Sequence, residues 1–244
     1  MWAIFVKEVN GFFSTLTGYV VVGVFLTLLG LIMWVFPDYS ILDYNYASLD
    51  QLFTVAPIIF LFLIPAICMR SFSEEKQSGT IEILFTKPLT EWQIILGKYA
   101  GALFLVFIAI LPTVIYYYTI WHLGAPQGNI DRGEVIGSYI GLFFLAAIFI
   151  AISLYASVLS NNQIVAFLIG ALLCFLVYYG FYFISTIPVF FGGVDDLLQK
   201  IGIDYHYRSI SNGAIDSRDV LYFLSAVFIF LFMTHQYLRQ NRNQ

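Results

Sequence analysis

Residues 135–194 contain no lysine, arginine, aspartate or glutamate. No other feature of the chain restricts its fold as strongly. An uncharged run of this length crosses a hydrocarbon core of about 30 Å twice, because one helical crossing takes about 20 residues. A water-soluble domain of this size needs a far more polar surface. The rest of the chain repeats the pattern: it is 60% hydrophobic and only 11% charged, with the charges gathered into a few islands. The composition predicts an all-α integral membrane protein. In lipid, runs of this kind satisfy their backbone groups as helices, whereas a β-barrel needs short segments of alternating polarity.

Six spans are legible, at about 18–36, 52–69, 94–121, 135–159, 164–187 and 220–238. The first turns of the third are expected to stand in water. An even number puts both termini on one side of the membrane. Taking that side as the cytoplasm places Lys7, Arg70, Lys76, Lys87, Lys98, Arg239 and Arg242 inside. Arg132, Lys200, Arg208 and Arg218 fall outside, the distribution that the positive-inside rule favours. The first apolar run starts late and is followed by "PDYS" instead of a small-residue cleavage site, so it is expected to stay as a span. Cys68 and Cys174 sit inside apolar runs and are expected to be buried small hydrophobes without a disulfide. No repeat or low-complexity linker divides residues 1–244, which predicts a single transmembrane domain. No basic patch is dense enough to argue for nucleic acid.

The informative island is "RSFSEEKQSGTIEILFTKPLTEWQIILGKY", residues 70–99. Ser71 and Glu74 fit a capping box, so a helix is expected to start just past the second span. Gly79 allows a turn. Ile81, Leu84, Phe85, Leu89 and Trp92 then recur at helical spacing. Pro88 interrupts the run, since the residue before a proline tends to leave helical geometry. Thr90 and Gln93 make a second capping box that opens the third span. The segment therefore predicts a short amphipathic helix on the membrane face. Such an element rests on headgroups or seats in the groove of a soluble partner.

The pattern is more specific than amphipathicity. It resembles the signature between the second and third spans of ABC-2-type transporter permeases: an acidic-basic pair, Gly-Thr-x-Glu-x-Leu, a Pro-Leu, and a Gly-Lys opening the next span. Here these are Glu75, Lys76, Gly79, Thr80, Glu82, Leu84, Pro88, Leu89, Gly97 and Lys98. The N-terminal "IFVKEVNGFFSTLTGYVVVGVFL" resembles the family's interfacial lead-in, with Lys7 and Glu8 on a helix whose Phe5, Val9, Phe12 and Phe13 face lipid or apolar protein. "HYRSISNGAIDSRDVLYFLS" resembles the polar segment before the sixth span, at Gly213, Arg218, Asp219, Tyr222, Phe223 and Leu224. The N-terminal lead-in and the C-terminal stretch together look most like the gliding-motility-associated permease subunits of Bacteroidetes-type bacteria.

The resemblance implies a permease subunit of an ATP-driven exporter in the bacterial inner membrane. A cytoplasmic coupling helix would dock on a soluble ATPase, and a second permease chain, identical or related, would sit alongside. The implied docking residues are Glu74, Glu75, Lys76, Gly79, Thr80, Ile81, Glu82, Leu84, Phe85, Pro88 and Leu89. Glu74, Glu75 and Lys76 would make polar contacts, and Ile81, Leu84 and Phe85 would form the apolar anchor. The chain has no G-x-x-x-x-G-K-[ST]: in "ILGKY" a tyrosine replaces the hydroxyl residue and Trp92 occupies the earlier glycine position. ATP and its magnesium would therefore belong to the partner subunit, and this chain is not expected to be an enzyme.

Other classes fit less well. An ion-coupled transporter usually holds ionisable groups at mid-membrane, and none of the six runs has one there. An intramembrane enzyme needs a nucleophile with a base or a metal-ligand cluster, whereas His122, His206 and His235 are scattered. Asp195-Asp196 is expected to cap a short external helix. A structural scaffold without transport, or an uncoupled channel, stays open. The tyrosines of "VIYYYTIWH" and "VYYGFYFI" suit an interfacial belt, or else the lining of a lateral path for an amphiphilic substrate.

Overall fold

Among the described residues, six helices are long and apolar enough to cross a membrane, and they make up most of the chain. The computed structural model describes residues 1–36, 40–41, 47–188, 192, 194–213 and 215–242, with the backbone but not the side chain of Phe85. Helix α1 (Trp2–Ser14) precedes the first long helix, α2 (Leu16–Trp34). The second long helix joins α3 (Asp50–Cys68) to α4 (Arg70–Gln77), and α5 (Thr80–Thr86) follows as a separate helix of about two turns. The third comprises α6 (Glu91–Ile110), a short 3₁₀ turn at Leu111–Thr113 and α7 (Val114–Leu123). Pro112 sits in that turn, where it removes a backbone donor from the helical ladder. The fourth is α8 (Arg132–Leu159). The fifth is α9 (Gln163–Phe175), continued by a π-helical segment, Leu176–Gly180, and by α10 (Phe181–Ser185). Two short helices, α11 (Val194–Ile201) and α12 (Ile203–Ser211), lead into the last, α13 (Ser217–Arg242). Among the described residues there is no strand.

Helix α8 is the axis of the bundle. It packs against α3, α9, α12 and α13, and 78% of its apolar window is enclosed, against 17% for α13. The outer helices turn Leu16, Ile164, Leu221 and Phe228 outward. A water-soluble protein hides such residues, so the inverted polarity identifies an apolar surround. Aromatic stacking adds specific contacts inside, as between Phe25 of α2 and Phe60 of α3, whose ring centroids lie 5.1 Å apart. Cys68 and Cys174 are buried and free. The segment before the sixth span contains the expected short helices. Asp195 and Asp196 lie in the first turn of α11, and α12 lies against α8 where Gly137 leaves no room for a side chain: a Cβ there would meet the Ile210 carbonyl oxygen at 2.6 Å.

One expectation is corrected. Ser71 and Glu74 form no capping box, because α4 is not a new helix. It continues α3 through Met69, whose φ and ψ are helical, and no side chain caps it. The junction is kept by a residue from another helix. The Ser157 hydroxyl accepts hydrogen bonds from the backbone N–H groups of Phe72 (3.0 Å) and Ser73 (3.2 Å). It also donates to the Met69 carbonyl at 3.0 Å. An inserted side chain of this kind bends a helix without leaving its backbone groups unsatisfied.

Candidate functional site

Both termini lie at one end of the bundle. Arg242 Nη1 donates to Glu91 Oε1 at 2.6 Å, which ties the last turn of α13 to the first turn of α6. The start of α6 is built as its sequence predicts. Thr90 accepts from the Gln93 backbone N–H, the Gln93 side chain accepts from that of Thr90, and the reciprocal box is complete. Just before it, Lys87 is extended, as a residue preceding proline should be. Gly79 adopts φ +68°, a left-handed conformation that reverses the chain between α4 and α5 and disfavours any residue with a Cβ. Its Cβ position is otherwise open, so the demand for glycine there is conformational, not steric.

Helix α1 is bolted onto α6. Gly97 and Gly101, one turn apart, leave a groove that Ile4 and Glu8 enter, also one turn apart. A Cβ on either glycine would lie 2.7 Å from the facing Cβ of α1. The fit carries Glu8 to Lys98. That lysine is only 2% exposed, and it is fully committed: Nζ donates to Glu8 Oε1 at 3.0 Å, to Glu75 Oε1 at 2.9 Å and to the Ser71 carbonyl at 2.7 Å. Lys7 reaches the same Glu75 oxygen from outside at 2.9 Å. Partial burial opposes its charge, but the Glu75 hydrogen bond and the nearby carboxylates outweigh that and hold its pKa above the ordinary lysine value. The other Glu75 oxygen, Oε2, is buried with no donor among the described residues. A cleft of about 400 Å³ opens over this cluster between α1 and α4. Three helices are thus joined by alternating charges where water is scarce, and such pairs are costly to break.

The predicted docking residues divide between two environments. Glu75 and Lys76 are engaged within the chain: Lys76 Nζ donates to the Val158 carbonyl and lies 4.6 Å from the centre of the Tyr237 ring. Ile81, Leu84 and Leu89 are half-buried against the bundle's own core. Glu74, Gly79, Thr80, Glu82 and Pro88 are exposed. The side chain of Phe85 lies outside the described residues. Among the described side chains of α5, Ile83, 60% exposed, is the large apolar residue presented outward. Helical spacing could have found it, because Ile83 lies off the Ile81–Leu84 face. Ser157 carried a fainter signal, as a hydroxyl in an otherwise apolar helix one turn from Ser153.

The family model for ABC-2 family transporter proteins matches residues 39–203, more than half of the chain. The chain belongs to this family. It is therefore an ABC-2 permease, the membrane-spanning subunit of an ABC transporter, and the hairpin at α4–α5 falls within the matched region. No curated protein matches the chain significantly in sequence. The arrangement suits a permease mechanically. α4 is the end of a span, α5 follows it with Glu82 and Ile83 outward, and the Lys98 cluster joins α4 to α1 and to the next span.

Proposed function

We propose that the chain is the permease subunit of an ATP-driven exporter of the bacterial inner membrane, with both termini in the cytoplasm. Residues 1–244 would form one transmembrane domain paired with a second permease chain, identical or related. A separate soluble subunit would bind ATP and magnesium and dock on the α4–α5 hairpin, with α1 alongside. The observation that carries this reading is the unbroken helical path from α3 into α4, clamped to α1 and α6 by Lys98. A force applied at Glu82 and Ile83 of α5, or at Pro88 just beyond it, would reach α4 across the turn at Gly79 and from there pass into two spans. The surface that a partner grips is then this exposed set together with Glu74 and Thr80, while Glu75 and Lys76 stiffen its base. The resemblance of both ends of the chain to gliding-motility permeases supports export in the service of surface motility.

The test is a mild-detergent purification of the tagged native chain, with mass spectrometry of what accompanies it. The expected companion is a soluble subunit carrying a phosphate-binding loop, lost in Glu82→Arg while the mutant stays inserted and folded. An ATPase retained by that mutant refutes the docking assignment. If no ATPase appears in several detergents and after cross-linking, the ATP-driven reading falls, and a scaffold or an uncoupled channel replaces it.

A further inference from the structure

At the end of the bundle opposite the termini, the short helices α11 and α12 meet the start of α13. The last carbonyls of a helix have no partner within it, and the final two of α11 find theirs outside it. The Tyr222 hydroxyl, from α13, donates to the Ile201 carbonyl at 2.6 Å. His206, from α12, meets the Lys200 carbonyl through Nε2 at 2.9 Å. Its other ring nitrogen, Nδ1, lies 2.6 Å from Oδ1 of Asp219, in the first turn of α13. The Tyr222 ring stacks on the imidazole, with ring centroids 3.9 Å apart. One histidine thus ties three helices together.

Both nitrogens of that imidazole face acceptors. A carbonyl oxygen only accepts, so Nε2 carries a hydrogen. An ionised carboxylate also only accepts, so Nδ1 needs a hydrogen of its own. A neutral imidazole has one N–H and one lone pair, and it satisfies one of the two contacts. The arrangement is complete with an imidazolium beside Asp219, or with the same proton on the carboxyl and donated back to Nδ1. Either way the pair holds one proton more than a neutral histidine beside a carboxylate. Burial gives that proton its weight. The two side chains are 14% and 7% exposed, and Asp219 Oδ2 is buried with no donor among the described residues. The helix dipoles favour the same charges, a cation at the C-terminal end of α11 and an anion in the first turn of α13.

The other titratable groups around the joint have their own partners or face elsewhere. Lys200 of α11 pairs with Asp196 at 2.6 Å, and Asp204 of α12 pairs with Arg208 at 3.0 Å. Asp216 and Arg218, beside Asp219, are exposed. Tyr205 meets the imidazole at nearly a right angle, with centroids 5.4 Å apart. From α8 and the π-helical segment, Glu134, Tyr178 and Tyr179 line a cleft that His206 does not line. We propose that His206 is a proton-operated latch. With both nitrogens protonated it closes the α11–α12 joint onto the sixth span. When the shared proton leaves, a lone pair faces either the Lys200 carbonyl or the Asp219 carboxylate, and the joint opens. The closed form binds the extra proton, so its stabilisation is present at low pH and is lost as pH rises. The device belongs to the chain itself and needs no ATPase at the other end.

The experiment uses the purified full chain in maltoside micelles. Hydrogen–deuterium exchange is followed by mass spectrometry at about pH 5.5 and about pH 9, with each rate divided by the intrinsic rate at that pH. Protection over residues 197–207 should fall at least about tenfold at the higher pH, the scale of one charged hydrogen bond, while residues 145–155 of α8 keep theirs. Asp219→Asn is the deciding variant. Its amide offers an N–H to Nδ1, so a neutral imidazole with its hydrogen on Nε2 satisfies both contacts, and protection should be the same at both pH values. A carboxylate with a merely structural role would instead leave the variant less protected at both. His206→Gln should lower protection at both and remove the pH response. Either folded variant suffices. Equal protection of the parent joint at both pH values overturns the proposal, as does a pH response that survives in Asp219→Asn or His206→Gln. A fall of the same size in α8 means global opening and overturns it as well.

Discussion

Replacing Lys98 by methionine deletes one ammonium and keeps most of the side-chain volume. The structure sets the expected cost. Lys98 is 2% exposed and its two carboxylate partners are 15% and 13% exposed, at 3.0 and 2.9 Å. At an effective dielectric constant of about 20, each contact is worth about 5 kcal/mol in Coulomb energy. Desolvating the three ions opposes this by several kcal/mol per ion. The net gain of the intact cluster is therefore small, but the variant keeps the desolvation of Glu8 and Glu75 and loses their shared cation. Lys7 stays with Glu75, whereas Glu8 is left without its ammonium. A loss of about 3 kcal/mol follows, at the lower end of the range for breaking a buried pair. For a chain of this length that is about 6–12 °C in melting temperature. The assay is thermal unfolding of the detergent-purified protein, combined with protease access to α1. Lys98→Met paired with Glu8→Gln should be milder than the sum of the two, because both act on one contact. A Lys98→Met protein that melts within about 2 °C of the parent, with α1 still protected, would refute the clamp.

Other perturbations probe the same construction. Gly101→Ala places a methyl about 2.7 Å from Glu8 Cβ; overpacking of this kind costs about 1–3 kcal/mol, and the loss in melting temperature should shrink in a Lys98→Met background. Ser157→Ala removes the acceptor from the Phe72 and Ser73 N–H groups; the expected loss is about 1–3 kcal/mol, with faster hydrogen exchange at residues 72–73 than elsewhere in α4. Lys7 binds its proton more tightly in the folded protein than at its ordinary value of 10.5. Its contribution is therefore fully present below that pH and is lost as pH rises through the higher folded value; Lys7→Gln should melt below the parent at pH 8 and converge with it in strong alkali. Arg242→Ala opens a half-exposed pair with Glu91, and a shift of less than about 1 kcal/mol is expected.

The local features at the terminal end were legible because local forces decide them. The reciprocal contacts of Thr90 and Gln93, the reversal at Gly79 and the extended residue before Pro88 need only neighbours within a few positions. The Ser71–Glu74 box looked the same in the sequence and does not form. A hydroxyl 84 residues away from Ser73 supplies what the cap would have supplied, and the helix runs on. Ile81 and Leu84 formed a legible stripe, but the stripe did not say what it would face. It packs on the bundle and leaves Ile83 outside.

The sequence by itself determined that this chain is a helical membrane protein with six crossings, because the length of an uncharged run and the thickness of a bilayer are both fixed quantities. It also determined where the polar connector lies, since charge cannot rest in hydrocarbon. Only the tertiary structure decided which charges of that connector are spent inside the fold. Lys98, Glu75 and Glu8 come from three separate helices, and their pairing depends on the depth of the Gly97–Gly101 groove and the α3–α4 junction held by Ser157. The same holds at the opposite end of the bundle, where Asp50 of α3, Glu134 of α8 and Tyr178 of the π-helical segment line one cleft. A hydropathy pattern records how deep a residue lies along its own helix, whereas partners on other helices are set by how the helices are rotated and spaced.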